Sequence, residues 1–221
     1  MITFFNTNYL EYLLLQRTRL KTEYLLNQHS NNEEVLAAIN KMTDRDFQML
    51  ESFLPKENIN NILDIGCGLG TIDVYFHHKF PTAKLFLQDK TDTIESNRKY
   101  NGFNKTYYYY NNLTLLEEFL RSNNVKNFNI VDGETLFEKN VKFDLILSLL
   151  SCGWHYSILQ YLDYIKTHID EKGTLIIDVR NNTEEDLLYK TFHNVNRIFN
   201  KNEKRYDGGI VGYRYICSHL I

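Results

Sequence analysis

The sequence is short of the residues that stapled or metal-held folds depend on. Its 221 residues include three cysteines, two prolines and one tryptophan. Cys67, Cys152 and Cys217 lie far apart, no C-x-x-C pair occurs, and the total is odd. That argues against a disulfide framework and a zinc site, so no metal is expected; it points to a reducing compartment, here the cytoplasm. No apolar run approaches the ~20 residues of a membrane-spanning helix. Met1-Ile2-Thr3-Phe4-Phe5 carries neither the basic region nor the long apolar core of a signal peptide. Basic charge is not in excess either: 25 Lys and Arg face 28 Asp and Glu, for a net charge of -3, so no nucleic-acid-binding surface is evident. What is present is a globular composition, 43% hydrophobic and 24% charged, in a length that suits one domain with appendages.

The most informative stretch is Asn61-Ile62-Leu63-Asp64-Ile65-Gly66-Cys67-Gly68-Leu69-Gly70. It reads as a short apolar strand containing an acid, then three glycines at alternate positions, then a helix-compatible segment from Thr71 to Lys79. Glycine lets the backbone turn sharply and lets a ligand approach without a Cβ clash. The spacing G-x-G-x-G is not the G-x-G-x-x-G of dinucleotide enzymes, and no Lys-Ser/Thr pair follows as a phosphate loop requires. Leu63 to Gly70 resembles the first motif of class I S-adenosylmethionine (SAM)-dependent methyltransferases. The other reading is a glycine turn that only tightens strand-helix packing.

The resemblance implies an α/β Rossmann-like three-layer sandwich. Its sheet would be mostly parallel and seven-stranded, with an antiparallel C-terminal hairpin. Residues 58–221 would form the SAM-binding domain and residues 1–57 an N-terminal helical cap, either covering a sheet edge or closing over the cofactor. In that cap, apolar spacing predicts one helix from Tyr9 to Asn27. A second is predicted to start at Thr43, with Phe47, Leu50 and Phe53 inward, and to stop before Pro55. Ala83 to Asp89 reads as a strand ending in a carboxylate, 19 positions beyond Gly70, near the separation expected of a ribose-binding acid. The link from Lys90 to Tyr110, with its four consecutive tyrosines, is either an aromatic wall to a substrate pocket or a surface loop.

Further strands are expected at Phe128–Asp132, Phe143–Leu150 and Thr174–Arg180. Helices are expected at Asn112–Asn123, Ile158–Ile169 and Glu184–His193, and a closing hairpin turns at Asp207-Gly208-Gly209. The Phe143 strand leads into Ser151-Cys152-Gly153-Trp154-His155-Tyr156, a concentration of polar and aromatic chemistry at a strand's carboxyl end, where open α/β folds hold ligands.

The resemblance places Asp64, Gly66, Cys67, Gly68, Gly70, Asp89, Lys90, Asp132 and Ser148 around the cofactor. Asp89 would grip the ribose hydroxyls, and Asp132, ahead of Asn129, the adenine amino group. His155 is the natural general base, because imidazole takes a proton near neutral pH; the alternative is a histidine that packs or caps the next helix. Tyr156 and Asp178 are the next catalytic candidates, although Asp178 and Arg180 also suit a surface ion pair. The base- and glutamine-methylating signature Asn/Asp-Pro-Pro-Tyr/Phe is absent. The expected activity is therefore O- or N-methylation of a small molecule. Attack on another sulfonium carbon, releasing methylthioadenosine, and a catalytically silent SAM-binding subunit are the alternatives.

Overall fold

The computed structural model describes residues 8–15, 25–56, 59–89, 112–132, 140–154, 156–180, 184–198 and 212–221. Helices α1 (Asn8–Leu15) and α2 (Asn32–Glu51) are among the described elements that precede strand β1 (Asn61–Ile65). Helix α3 (Thr71–Lys79), strand β2 (Lys84–Asp89), helix α4 (Leu113–Ser122) and strand β3 (Phe128–Asp132) follow. Strand β4 (Phe143–Ser148), helix α5 (Leu159–His168) and strand β5 (Ile169–Arg180) come next. Helix α6 (Glu185–Thr191) and strands β6 (Phe192–Ile198) and β7 (Gly212–Leu220) complete the chain.

The seven strands form one sheet in the order β3-β2-β1-β4-β5-β7-β6, parallel from β3 to β5, with β7 antiparallel to both its neighbours. This is the expected mostly parallel sheet with an antiparallel C-terminal pair. The central strands are almost wholly apolar because helices cover both faces. On one face α1, α2, α3 and α4 bury Ile62, Leu85, Leu87, Leu145, Leu147 and Ile176. On the other, α5 and α6 bury Leu63, Ile65, Ile146, Leu175 and Ile177. Each such side chain contributes ~1.5–3 kcal/mol by leaving water. At the lower edge Asp144 accepts hydrogen bonds from the backbone amides of Asn60 and Asn61 (2.8 and 2.9 Å). That fixes the register of β1 against β4, and thus which residues emerge together at the opposite, carboxyl edge.

The cap helices share the core of the sheet. Tyr9 lies edge-on to Phe119 with ring centres 5.3 Å apart and donates to Glu118. Phe47 packs on Phe76 and Tyr75, and Glu51 pairs with Lys79 at 2.6 Å, so α2 lies along α3. Helix α2 starts eleven residues before the expected Thr43. Asn31 accepts from the Glu34 amide and Glu34 accepts from the Ser30 amide, a reciprocal cap formed earlier in the chain. Thr43 lies mid-helix and donates to the Ile39 carbonyl. Phe53 falls just past the helix end and is exposed rather than inward. In the N-terminal segment, residues 8–15 and 25–28 are helical, and the middle of the expected 9–27 helix lies outside the described residues.

Strand β5 begins at Ile169 rather than Thr174. Its pairing with β4 shifts between Phe143 and Leu145, and a Cβ on Gly173 would sit 2.8 Å from the Phe143 carbonyl oxygen. Glycine is what lets this irregular start stay in the sheet. Strand β4 stops at Ser148, two residues short of expectation, because Leu150 turns into the left-handed region at φ +56°. Among the described residues no helix is long and apolar enough to cross a membrane.

Candidate functional site

The chain passes from β3 back across β1 to form β4, so the strand order reverses between β1 and β4. In open α/β sheets ligands bind beyond the carboxyl ends at such a point. Here the two segments that emerge there meet: the glycine turn after β1 and the turn 149–153 after β4.

Gly66, Gly68 and Gly70 all have left-handed backbones, with φ of +78°, +59° and +72°. A Cβ on Gly66 would lie 1.8 Å from Ser151 Oγ, so the absent side chain is what admits the second turn. A Cβ on Gly70 would lie 2.9 Å from Leu116, so that glycine seats α4. The Gly66 amide donates to the Gln88 carbonyl at 2.7 Å, and the Gly68 amide donates to Asp89 Oδ2 at 2.7 Å. The tip of β2 thereby clasps the glycine turn. Asp132 ends β3 directly across from Asp89 and is exposed at the same rim.

Beneath the turn lie two acids. Asp64 is in β1 and Asp73 in the first turn of α3, and both are buried. The two carboxyl groups interact with each other, and a backbone hydrogen bond also reaches Asp73. Burial, and then the neighbouring Asp73 charge, push Asp64 well above the usual carboxylate range. Burial pushes Asp73 up to about 7. The pair is a shared-proton arrangement, since two buried carboxylates cannot both ionise cheaply. Burial and the charges of Asp89, Asp64 and Asp73 raise the Cys67 thiol, which stays protonated and is no nucleophile.

After β4 the backbone is held at several points. Buried Ser148 donates to the Ile65 carbonyl at 2.8 Å and accepts from the Cys152 amide at 2.9 Å, so its hydroxyl ties the two crests together. Ser151 shares a 3.0 Å hydrogen bond with Tyr156, whose ring lies 5.7 Å from that of Tyr161. Burial raises the Tyr156 phenol well above its usual value. Trp154 is buried, its ring packed onto the backbone at Gly212, where a Cβ would meet it at 1.8 Å. Asp178 is fully buried and grips Arg214 with both oxygens (2.7 and 2.9 Å). Of the alternatives open in the sequence for Asp178, the geometry supplies an ion pair, made with Arg214 and buried inside the protein. His155, Lys90, the tyrosine-rich link and the Asp207–Gly209 turn lie outside the described residues.

The structure thus gathers Asp64, Gly66, Cys67, Gly68, Asp89, Ser148 and Tyr156 in and around the two turns at the carboxyl edge of the sheet, with Asp132 exposed at the end of β3. Sequence reading missed Asp73, Gln88, Leu150, Ser151's seat on Gly66, and Arg214. Only Asp73 carried a signal, as an acid in the first turn after the glycines.

The chain matches no protein-family model and no curated protein in sequence. Solved structures share its fold. A candidate O-methyltransferase from Nostoc punctiforme is 14% identical over 81% of this chain, with a TM-score of 0.55. This chain spans 56% of that protein's length. The O-MT segment of StiE is 14% identical over 91% of this chain and 82% of its own, with a TM-score of 0.55. Precorrin-6y C5,15-methyltransferase from Geobacter metallireducens is 13% identical over 82% of this chain and 88% of its own, with a TM-score of 0.50. The chain has the class I methyltransferase fold.

Proposed function

We propose that this protein is a SAM-dependent methyltransferase acting on an oxygen or nitrogen of a small molecule in the cytoplasm. The observation that carries the reading is the clasp of Asp89 on Gly68 at the point where the strand order reverses. The residues there fit the cofactor: three left-handed glycines free a backbone cradle, an acid stands at the tip of β2, and a buried acid pair beneath offers negative charge to a cationic ligand. Methyl-transferring neighbours of the same fold and the chain's net charge of -3 support a small, non-nucleic-acid acceptor.

When bound, SAM supplies a methyl group made electrophilic by its sulfonium. The protein's own part is to bind and to orient. Asp89 would keep its Gly68 hydrogen bond and also accept from the ribose hydroxyls, a vicinal diol that suits a carboxylate with two acceptor oxygens. Gly66, Cys67, Gly68 and Gly70 supply the turn, with Asp64 beneath it. Asp132, opposite the ribose acid on β3, would take the adenine amino group, and Lys90, the next residue in sequence after Asp89, would join the cofactor's binding residues. Ser148 holds the two crests at fixed separation, which matters because an in-line displacement depends on positioning. The Tyr156 phenol stays protonated and is suited to donating a hydrogen bond to the acceptor. His155 is the proton acceptor in this reading, by its chemistry and its place after β4.

Calorimetric titration with S-adenosylhomocysteine (SAH) tests it. Micromolar or tighter binding is expected, lost when Gly68 is replaced by Val. Undiminished affinity in that variant sinks the site. Detection of SAH rather than methylthioadenosine as product would separate methyl transfer from attack on another sulfonium carbon.

A further inference from the structure

Asp178 has more partners than an ion pair needs. Besides gripping Arg214, its Oδ2 accepts from the Leu150 amide at 3.2 Å. Leu150 is a left-handed leucine, a conformation in which a Cβ crowds the following carbonyl, so the turn does not hold it there unaided. The other end of the same turn rests on the same residue. Gly153, also left-handed, packs so closely on the Asp178 backbone that a Cβ would lie 2.9 Å from its carbonyl oxygen. Between these two contacts Ser151 projects onto Gly66. Arg214 carries the arrangement further, since its Nη1 lies 3.6 Å from Asp46 on α2.

We propose that Asp178 is a positioning residue that seats the turn 149–153 on β5, with Arg214 fixing its carboxylate, so that Ser151 closes against the first glycine of the cofactor turn. The geometry suits that role. A bidentate arginine leaves a carboxylate no rotational freedom, and a charged acceptor makes the stronger kind of hydrogen bond to an amide. A buried aspartate with this many fixed partners is held in one orientation, which is what seating a turn requires. The proposal rests on the cofactor-site reading above only for what the turn is positioned against.

The test is residue-resolved amide hydrogen exchange on the whole protein. Replacing both partners, Asp178→Leu with Arg214→Met, removes the buried charges together, which cores tolerate far better than leaving one behind. Exchange at Leu150 is expected to quicken about tenfold or more, the scale of losing one charge-assisted hydrogen bond. Ile176 and Ile177 in β5 should keep their protection. Unchanged exchange at Leu150, or a rise spread evenly over the sheet, overturns the proposal, because a merely structural pair would give one or the other. Should the double variant fail to fold, Asp178→Asn is judged by the same criterion, with a smaller rise expected. Titration of the unaltered protein with SAH is run alongside. Absence of binding there defeats the cofactor reading, while the exchange result still decides the role of Asp178.

Discussion

Asp89 reaches back from the tip of β2 to accept a 2.7 Å hydrogen bond from the amide of Gly68, 21 residues earlier. A carboxylate that organises the glycine turn and, in the proposed function, also accepts from a ribose diol has two tasks, and a substitution separates them. Asp89→Ala is expected to weaken SAH binding by about 1–3 kcal/mol, the scale for a hydrogen bond to a charged group. Asp89→Asn, whose side-chain oxygen still accepts from Gly68, should lose less. Calorimetry on both variants checks this; equal affinity in all three proteins would place the ribose acid elsewhere.

Gly66 and Ser151 are complementary shapes. A methyl group at Gly66 would lie 1.8 Å from Ser151 Oγ and 2.4 Å from its Cβ, so one of the two turns must move. Gly66→Ala should therefore lower stability by more than the ~1–2 kcal/mol of left-handed strain alone, and should weaken SAH binding. Ser151→Gly removes both clashing atoms. The pair Gly66→Ala with Ser151→Gly is expected to recover part of the lost melting temperature, leaving the backbone strain. No recovery would show that the crowding lies between other atoms.

The sheet was legible in the sequence because its strands are doubly covered, and an apolar run bounded by polar residues leaves few alternatives. Phe143 to Ser148 and Ala83 to Asp89 are such runs. The start of α2 was misplaced at Thr43, whose spacing to Asp46 resembles a cap, whereas Asn31 and Glu34 cap the helix earlier in the chain. That Asp64, the glycines and Asp89 meet at one turn was legible because they are close in sequence and spaced by turn geometry. Arg214 was not. It lies 36 residues from Asp178, and only the antiparallel return of β7 beside β5 brings them together. Ser151's seat on Gly66 is likewise a product of the sheet order, which no short motif encodes.

His155 is expected to act on the acceptor rather than on the cofactor. Its place in the sequence, two residues after the turn 149–153 that follows β4, motivates this. His155→Ala should keep SAH affinity yet lose turnover by about 10²–10⁴-fold, the range for a general base. His155→Asn keeps a hydrogen-bonding side chain that cannot take the proton, and should be as slow. Full turnover in the Asn variant, measured as SAH release with an identified acceptor, would make His155 a scaffold residue and leave Tyr156 as the next candidate.

The Asp64–Asp73 pair predicts how stability depends on pH. Burial raises both groups in the folded protein, Asp73 to about 7, whereas in the unfolded chain they ionise near the ordinary carboxylate value. Between about pH 4 and 7 the native state therefore holds more protons than the unfolded state, and linkage makes stability fall as pH rises through that window. Below it the contribution is fully present; the part due to Asp73 is lost as pH rises through about 7, and the part due to Asp64 is lost as pH rises through its own raised value. Asp73→Asn replaces one titrating group with a neutral amide able to donate to Asp64. The variant should melt higher than the parent at pH 8, by roughly 3–10 °C on a scale of ~2–4 °C per kcal/mol for a chain of this size. Its advantage should shrink towards zero as the pH approaches 4. Melting curves across pH 4 to 8 read this directly. Parallel slopes for the two proteins would mean that the acids do not share a proton and that the buried charge is neutralised by some other group.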